Sequence, residues 1–189
     1  PGLGWVGVML PTTPMHHLLL DRLRRPLVMT SGNMSEEPIA TGNEEALARL
    51  AGIADGFLLH DREIVSRYDD SVVRPTGVGP VLLRRARGYA PLPLDLPVAS
   101  PVPFLAVGPH LKNTVTLVQG RRAFVSQHIG DLENLETLEH FHASLERFKA
   151  LFRIEPEAVV HDLHPGYFST RVARESGLRV LPAVQHHHA

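Results

Sequence analysis

The sequence contains no cysteine, no long apolar run and almost no net charge. Without cysteine in 189 residues, the chain holds no disulfide, no Cys-ligated zinc and no cysteine nucleophile. The same absence fits a reducing compartment and a cytoplasmic location. No stretch approaches the ~20 apolar residues of a membrane-spanning helix, so a membrane partner is not expected. A leading Met and the basic, apolar and small-residue regions of a signal peptide are also missing. The 19 basic and 20 acidic residues leave a net charge of −1. That balance argues against a duplex-DNA binder driven by counterion release. Internal repeats and low-complexity tracts are absent too.

Hydrophobic residues make up 43% of the chain, enough for real cores. Five prolines fall between Pro91 and Pro103. That spacing forbids a helix, disfavours a central strand and predicts an extended connector. It divides the sequence into a first unit at 1–97, a linker at 98–102 and a second unit at 103–189. The length and the abrupt opening at Pro1-Gly2-Leu3 suggest two incomplete domains, a fragment of a longer chain.

The first unit reads as mixed α+β. Trp5–Leu10, Leu27–Met29, Phe57–Leu59 and Val81–Leu83 are expected strands, and His16–Leu23 one or two helical turns. Thr41 with Glu44 fits a capping box for a helix whose apolar face is Ala46, Leu47, Leu50 and Ile53. The second unit predicts strands at Phe104–Val107, Thr114–Val118 and Ala123–Gln127. A helix follows with Leu135, Leu138, Phe141, Leu145, Phe148 and Leu151 on one face. Then come a strand at Ala158–His161, a helix at Tyr167–Glu175 stopped by Gly177, and a strand at Arg179–Val184. The order β-β-β-α-β-α-β is that of the ribonuclease-H-like half of actin-type ATPases. The fold class is therefore α/β, with two partial domains.

Gly2-x-Gly4-x-x-Gly7 spells the dinucleotide fingerprint, but no strand precedes it and Pro11 and Pro14 follow, so the context does not fit. Thr30-Ser31-Gly32-Asn33-Met34-Ser35 gathers hydroxyls, an amide and a turn-forming glycine after an apolar run. It reads either as a nest for phosphate or carbonyl oxygens or as an ordinary polar turn. Arg67, Arg74, Arg84, Arg85 and Arg87 could hold nucleotide phosphates through forked donors, or be a solvated surface paired to acids. Asp69-Asp70 could hold Mg²⁺. Lys112 and Asn113 lie in the first hairpin turn of the second unit, where a lysine could neutralise phosphate charge or simply face solvent. His128-Ile129-Gly130-Asp131 and His161-Asp162-Leu163-His164 end strands and read as catalytic sets or as turn chemistry. His186-His187-His188 is either tag residue or the start of a metal-bearing helix. From His186 the His-x-x-x-His partner falls at position 190, past Ala189.

Read together, these strings resemble the hydrogenase-maturation carbamoyltransferase family HypF. They are Met9-Leu10-Pro11 with His16-His17, Thr30–Ser35 with Glu37-Pro38, Leu59–Arg62 leading into Arg67–Arg74, and Leu83–Pro91. Leu111–Thr114, Ser126–Leu132, Val160–Tyr167, Ser169-Thr170 and Val184–Ala189 continue the likeness in order along the whole chain. The resemblance implies the later part of a YrdC-like domain and the first part of an actin-like carbamoyl transferase domain. It implies ATP with Mg²⁺, and zinc or iron in the transferase domain. It also implies carbamoyl phosphate as carbamoyl source, carbamoyl adenylate as intermediate, and the C-terminal cysteine of a HypE-like protein as acceptor. The resemblance assigns nucleotide binding to Thr30, Ser31, Asn33, Ser35, Arg67, Arg74, Arg85 and Arg87. It assigns catalysis to Lys112, Asn113 and Asp131, and the first metal ligand to His186. Two other readings remain open at this point: an O-carbamoyltransferase of small-molecule biosynthesis, and a YrdC-type double-stranded-RNA or nucleotide-binding module. The isolated chain is expected to be inactive.

Overall fold

The computed structural model describes residues 2, 4–35 and 37–182. The chain forms two compact units, Pro1–Thr30 and Ser31–Ala189.

In the first unit, helix α1 spans Pro14–Leu23. Its start follows from the sequence: the Thr13 hydroxyl accepts from the His16 N–H at 3.2 Å, and Pro14 opens the helix. It ends at Arg24, in the left-handed region at φ 53°, whose N–H returns to Leu20 O. Trp5–Leu10 and Leu27–Met29 are not strands. A strand is held by its neighbour's backbone groups, and among the described residues no ladder forms there; Val6, Val8 and Val28 stand exposed. Gly2, Gly4 and Gly7 of the fingerprint accordingly lie outside helix and strand, without the context their chemistry needs.

The second unit begins with helix α2, Asn43–Leu50. Its cap lies one residue beyond the position expected: Glu45, not Glu44, reaches back to the N–H groups of Thr41 (3.0 Å) and Gly42 (3.3 Å). With glycine at the cap, only the glutamate half of a capping box exists. Phe57–Leu59 is coil for the same want of a partner strand. Strands β1 (Val72–Thr76) and β2 (Gly79–Arg84) form an antiparallel hairpin of their own.

The remaining strands build a six-stranded sheet. They are β3 (Leu94–Asp95), β4 (Phe104–Val107), β5 (Val115–Gln119), β6 (Arg122–Val125), β7 (Ala158–His161) and β8 (Arg179–Pro182). Their order is β3-β6-β5-β4-β7-β8. Neighbours from β3 to β4 are antiparallel, and β4, β7 and β8 are parallel. The expected order of strands and helices is present, and its topology is that of the ribonuclease-H-like half. Strand β3 was not expected: the proline-rich stretch adds a two-residue edge strand between Pro93 and Pro97, where missing N–H groups cost no ladder bond.

Helix α3 (Leu135–Phe152) connects β6 to β7, and α4 (Phe168–Glu175) connects β7 to β8. Phe141 and Phe148 of α3 and Ala173 of α4 join Leu105, Val107, Val115, Leu117, Leu132 and Val159 in one core. Leu135 and Leu151, expected on the apolar face, are exposed in the first and last turns of α3. A second row, Thr137, His140 and Ser144, is buried on α3 although polar. Asn134 caps this helix, accepting from the Thr137 N–H at 3.1 Å. Asn134→Ala is expected to cost about 1 kcal/mol in urea unfolding, and Asn134→Asp almost nothing.

Candidate functional site

Three loops meet at one end of the sheet. They are 108–114 between β4 and β5, 126–134 between β6 and α3, and 162–167 between β7 and α4. The first can turn only because it contains glycine. A Cβ on Gly108 would lie 3.2 Å from Thr114 N and 3.3 Å from Asn113 Cα. The second turns at Gly130, at φ 121°.

Asn113 ties the first two loops together. It is wholly buried, its Nδ2 donates to His110 O (2.7 Å) and to Gly130 O, and its backbone O accepts from the Ile129 N–H at 3.1 Å. Its Oδ1 is buried with no partner among the described residues. Asp131 lies across from it. Its Oδ1 caps the turn by accepting from the Glu133 N–H at 3.0 Å and sits 3.5 Å from His110 Nε2. Lys112 is exposed on the same loop as Asn113. The structure thus gathers Lys112, Asn113 and Asp131 on one loop pair.

Two residues in this loop pair were not singled out from sequence. His110 is 8% exposed, with its ring stacked on Tyr167 and Phe168, and Glu133 Oε1 lies 3.4 Å from its Nε2. The only available signal was a histidine two residues before Lys112; its burial depends on α4, more than fifty residues later. His161, Asp162 and His164 serve the turn rather than a shared centre among the described residues. His161 Nδ1 contacts Asp162 O at 2.6 Å, and the His164 ring stacks on Tyr167 and accepts the Gly166 N–H. Asp162 O and His164 O both accept from Thr170 Oγ1, which shapes the third loop.

The candidate nucleotide residues lie elsewhere. Thr30 closes the first unit and is exposed. Ser31 and Ser35 are exposed in the second, with Asn33 half-buried and its Nδ2 on Met34 O at 2.7 Å. Arg67 donates to Ile39 O (2.9 Å) and pairs with Glu45 (3.3 Å). Arg85 donates to the carbonyls of Val125 (2.6 Å), Tyr89 (2.8 Å) and Leu92 (2.6 Å). Burial lowers its pKa. Arg87 pairs with Asp70 at 3.4 Å, so Asp70 faces a guanidinium. Arg74 is exposed on β1. These arginines are spread over a strand, coil and an isolated bridge, and Arg67, Arg85 and Arg87 donate to protein oxygens. His186 lies outside the described residues.

A seam joins residues before the proline-rich stretch to those after it. Arg147 of α3 donates to Ser66 Oγ (2.6 Å), and Gln127 Nε2 to Arg67 O (3.2 Å). The His128 N–H reaches Arg85 O at 3.2 Å. His128 and His140 line a small cavity with Ile39, Arg67, Tyr68 and Asp69. Burial lowers the pKa of both histidines. Arg67 and Arg147 push His140 further, to about 4, and Arg84 and Lys112 act on His128 against the opposing pull of Asp69.

Two family models cover nearly the whole chain: HypF Kae1-like domain over residues 99–189, and the Sua5/YciO/YrdC family, described as telomere recombination, over residues 1–86. The carbamoyltransferase HypF of Synechocystis is 49% identical over all of this chain. The chain belongs to the HypF family. HypF2 of Cupriavidus necator is likewise 49% identical, and the probable HypF of Methanocaldococcus jannaschii is 38% identical over 99% of the chain. A crystal structure of full-length HypF in the phosphate- and nucleotide-bound form matches with a TM-score of 0.90 at 48% identity, over 94% of this chain and 28% of that one. The HypF of T. kodakarensis matches with a TM-score of 0.75 at 34% identity, over 82% and 21%. This chain spans about a quarter of the length of its curated HypF relatives, 24% in Synechocystis and 26% in C. necator. No helix among the described residues is long and apolar enough to cross a membrane.

Proposed function

We propose that the chain is the central part of a HypF carbamoyltransferase, with the end of the YrdC-like domain at 1–97, a linker at 98–102 and the start of the transferase domain at 103–189. In this reading the whole enzyme takes its carbamoyl group from carbamoyl phosphate, with water displacing inorganic phosphate, and activates it with ATP and Mg²⁺ as carbamoyl adenylate, releasing pyrophosphate. It then passes the group to the C-terminal cysteine of a HypE-like protein: the thiolate attacks the carbamoyl carbon and AMP leaves. The product would be the precursor of the cyanide ligand of [NiFe] hydrogenase. The observation that carries this reading is the match to a full-length HypF described as phosphate- and nucleotide-bound.

Within it, Thr30, Ser31, Asn33 and Ser35 orient phosphate or carbamoyl oxygens, and Arg74, exposed on β1, adds positive charge. Arg67, Arg85 and Arg87 serve the site chiefly by holding its walls, since their donors are engaged in the protein. On the transferase side, Lys112 offers a mobile charge to a phosphate, while Asn113 and Asp131 hold the turn that presents it. His186 would be a first metal ligand, for zinc or iron.

The test uses the full-length parent. Carbamoyl-phosphate-dependent exchange of pyrophosphate into ATP is expected, with Asn33→Ala abolishing it while circular dichroism is unchanged. No exchange in the parent overturns the assignment; unchanged exchange in the variant removes Asn33 from the site.

A further inference from the structure

We propose that His110, Asp131 and Glu133 form a binding site for a zinc-class divalent cation. Nε2 of His110 lies 3.5 Å from Asp131 Oδ1 and 3.4 Å from Glu133 Oε1. The three donor atoms all fall within 4.8 Å of one another. Four ligands around zinc at about 2.0–2.1 Å sit about 3.3–3.4 Å apart, so both nitrogen–oxygen separations are those of a tetrahedron's edge. One imidazole with two carboxylates is a borderline donor set, suited to zinc, manganese or iron rather than to magnesium alone.

The site is built, not merely acidic. The His110 ring is buried and stacks on Tyr167 (13°, 5.5 Å) and on Phe168 (16°, 5.8 Å), contacts that restrict its orientation before any ion arrives. Asn113 clamps the backbone at His110 and at Gly130, one residue before Asp131, and leaves a wholly buried carbonyl oxygen without a partner beside them. The Asp131 carboxylate is held by the Glu133 N–H. Glu133 is 73% exposed along its side chain and free to turn into water, yet its carboxylate lies toward His110 and Asp131. Two carboxylates brought together in this way repel each other, and a cation removes that repulsion. The solvent side, past Glu133, leaves a fourth position for water or a phosphate oxygen.

The Phe168 N–H approaches Nδ1 at 3.4 Å. A neutral ring that accepts this N–H carries its proton on Nε2, facing the carboxylates. Cation binding takes the Nε2 lone pair and moves that proton to Nδ1, at the cost of this one long hydrogen bond.

The test is equilibrium dialysis of the 189-residue chain against Zn²⁺ with His186, His187 and His188 all changed to Ala, so that the terminal histidines contribute nothing. One equivalent of zinc should remain bound. Glu133→Gln in that background should weaken it at least about tenfold, and His110→Phe, which keeps the ring stack, should abolish it. Circular dichroism of each variant separates loss of the site from loss of the fold, and Asp131→Asn provides a second disruption. No bound zinc in the triple-alanine background, or binding indifferent to His110→Phe and Asp131→Asn in folded protein, overturns the proposal.

Discussion

Asn113→Asp is expected to destabilise the chain by about 3–5 kcal/mol, the largest loss from any isosteric change in the loop pair. The substitution alters no volume. It replaces an amide that donates to two carbonyls, His110 O and Gly130 O, by a carboxylate that can donate to neither. Two acceptors then lose their donor and face a negative charge at a position with no exposed surface. An unsatisfied buried acceptor costs about 1–3 kcal/mol by itself, and a buried unpaired charge adds to that. Protonation of the new carboxyl restores one donor, so the stability gap between variant and parent should narrow as the pH falls. Urea unfolding at pH 7 and 5 measures both effects. A loss under about 1 kcal/mol at pH 7 would show that Asn113 does not hold the loops. Asn113→Ala leaves the same orphans without the charge and should fall between the two.

The second large effect is acid sensitivity at the seam. His140 has its pKa near 4 in the folded chain, through burial and through Arg67 and Arg147. Unfolded, it returns to the ordinary value near 6.5. Above 6.5 neither state holds the proton and nothing depends on pH. Between about 6.5 and 4 the unfolded chain binds a proton that the folded chain refuses, so stability falls as pH falls. The slope approaches about 1.4 kcal/mol per pH unit, a total near 3 kcal/mol for this residue. His128 adds in the same direction, since its pKa is also lowered. Across the shared cavity Tyr68 stays neutral and Asp69 is the acid present, so the seam offers an incoming proton more positive than negative neighbours. His140→Gln, compared with the parent by urea unfolding at pH 7.0 and 5.0, should lose most of the drop; equal drops would refute the role given to His140. Glu45 does not confuse the comparison. Its pKa is lowered by hydrogen bonds from Thr41 and Gly42 and by Arg67 and Arg49, which outweigh burial, so its contribution is lost only below the usual carboxylate range.

Much of the second half was legible in the sequence because its signals are local. Phe104–Val107 and the first three residues of Ala158–His161 are continuous apolar runs, as strands covered on both faces require. The three-or-four spacing of Leu138, Phe141, Leu145 and Phe148 can form only a one-faced helix. The first half was less legible. Trp5–Leu10, Leu27–Met29 and Phe57–Leu59 have the composition of strands, but a strand exists only when another segment supplies its hydrogen bonds. Composition does not report a partner.

The site divides in the same way. The sequence by itself determined the family, the order of the elements from β4 to β8, and that Lys112, Asn113 and Asp131 belong to turns at strand ends, because glycine, proline and polar residues after apolar runs are read locally. Only the tertiary structure decided what those residues do to one another. It buried the Asn113 amide between two loops seventeen residues apart, turned Arg67 and Arg85 inward onto carbonyls, and set His110 beside Asp131 and Glu133 under the rings of α4. The physical reason is that hydrogen bonding and desolvation depend on which groups converge in space, and convergence across a sheet is fixed by strand order and register, not by neighbours along the chain.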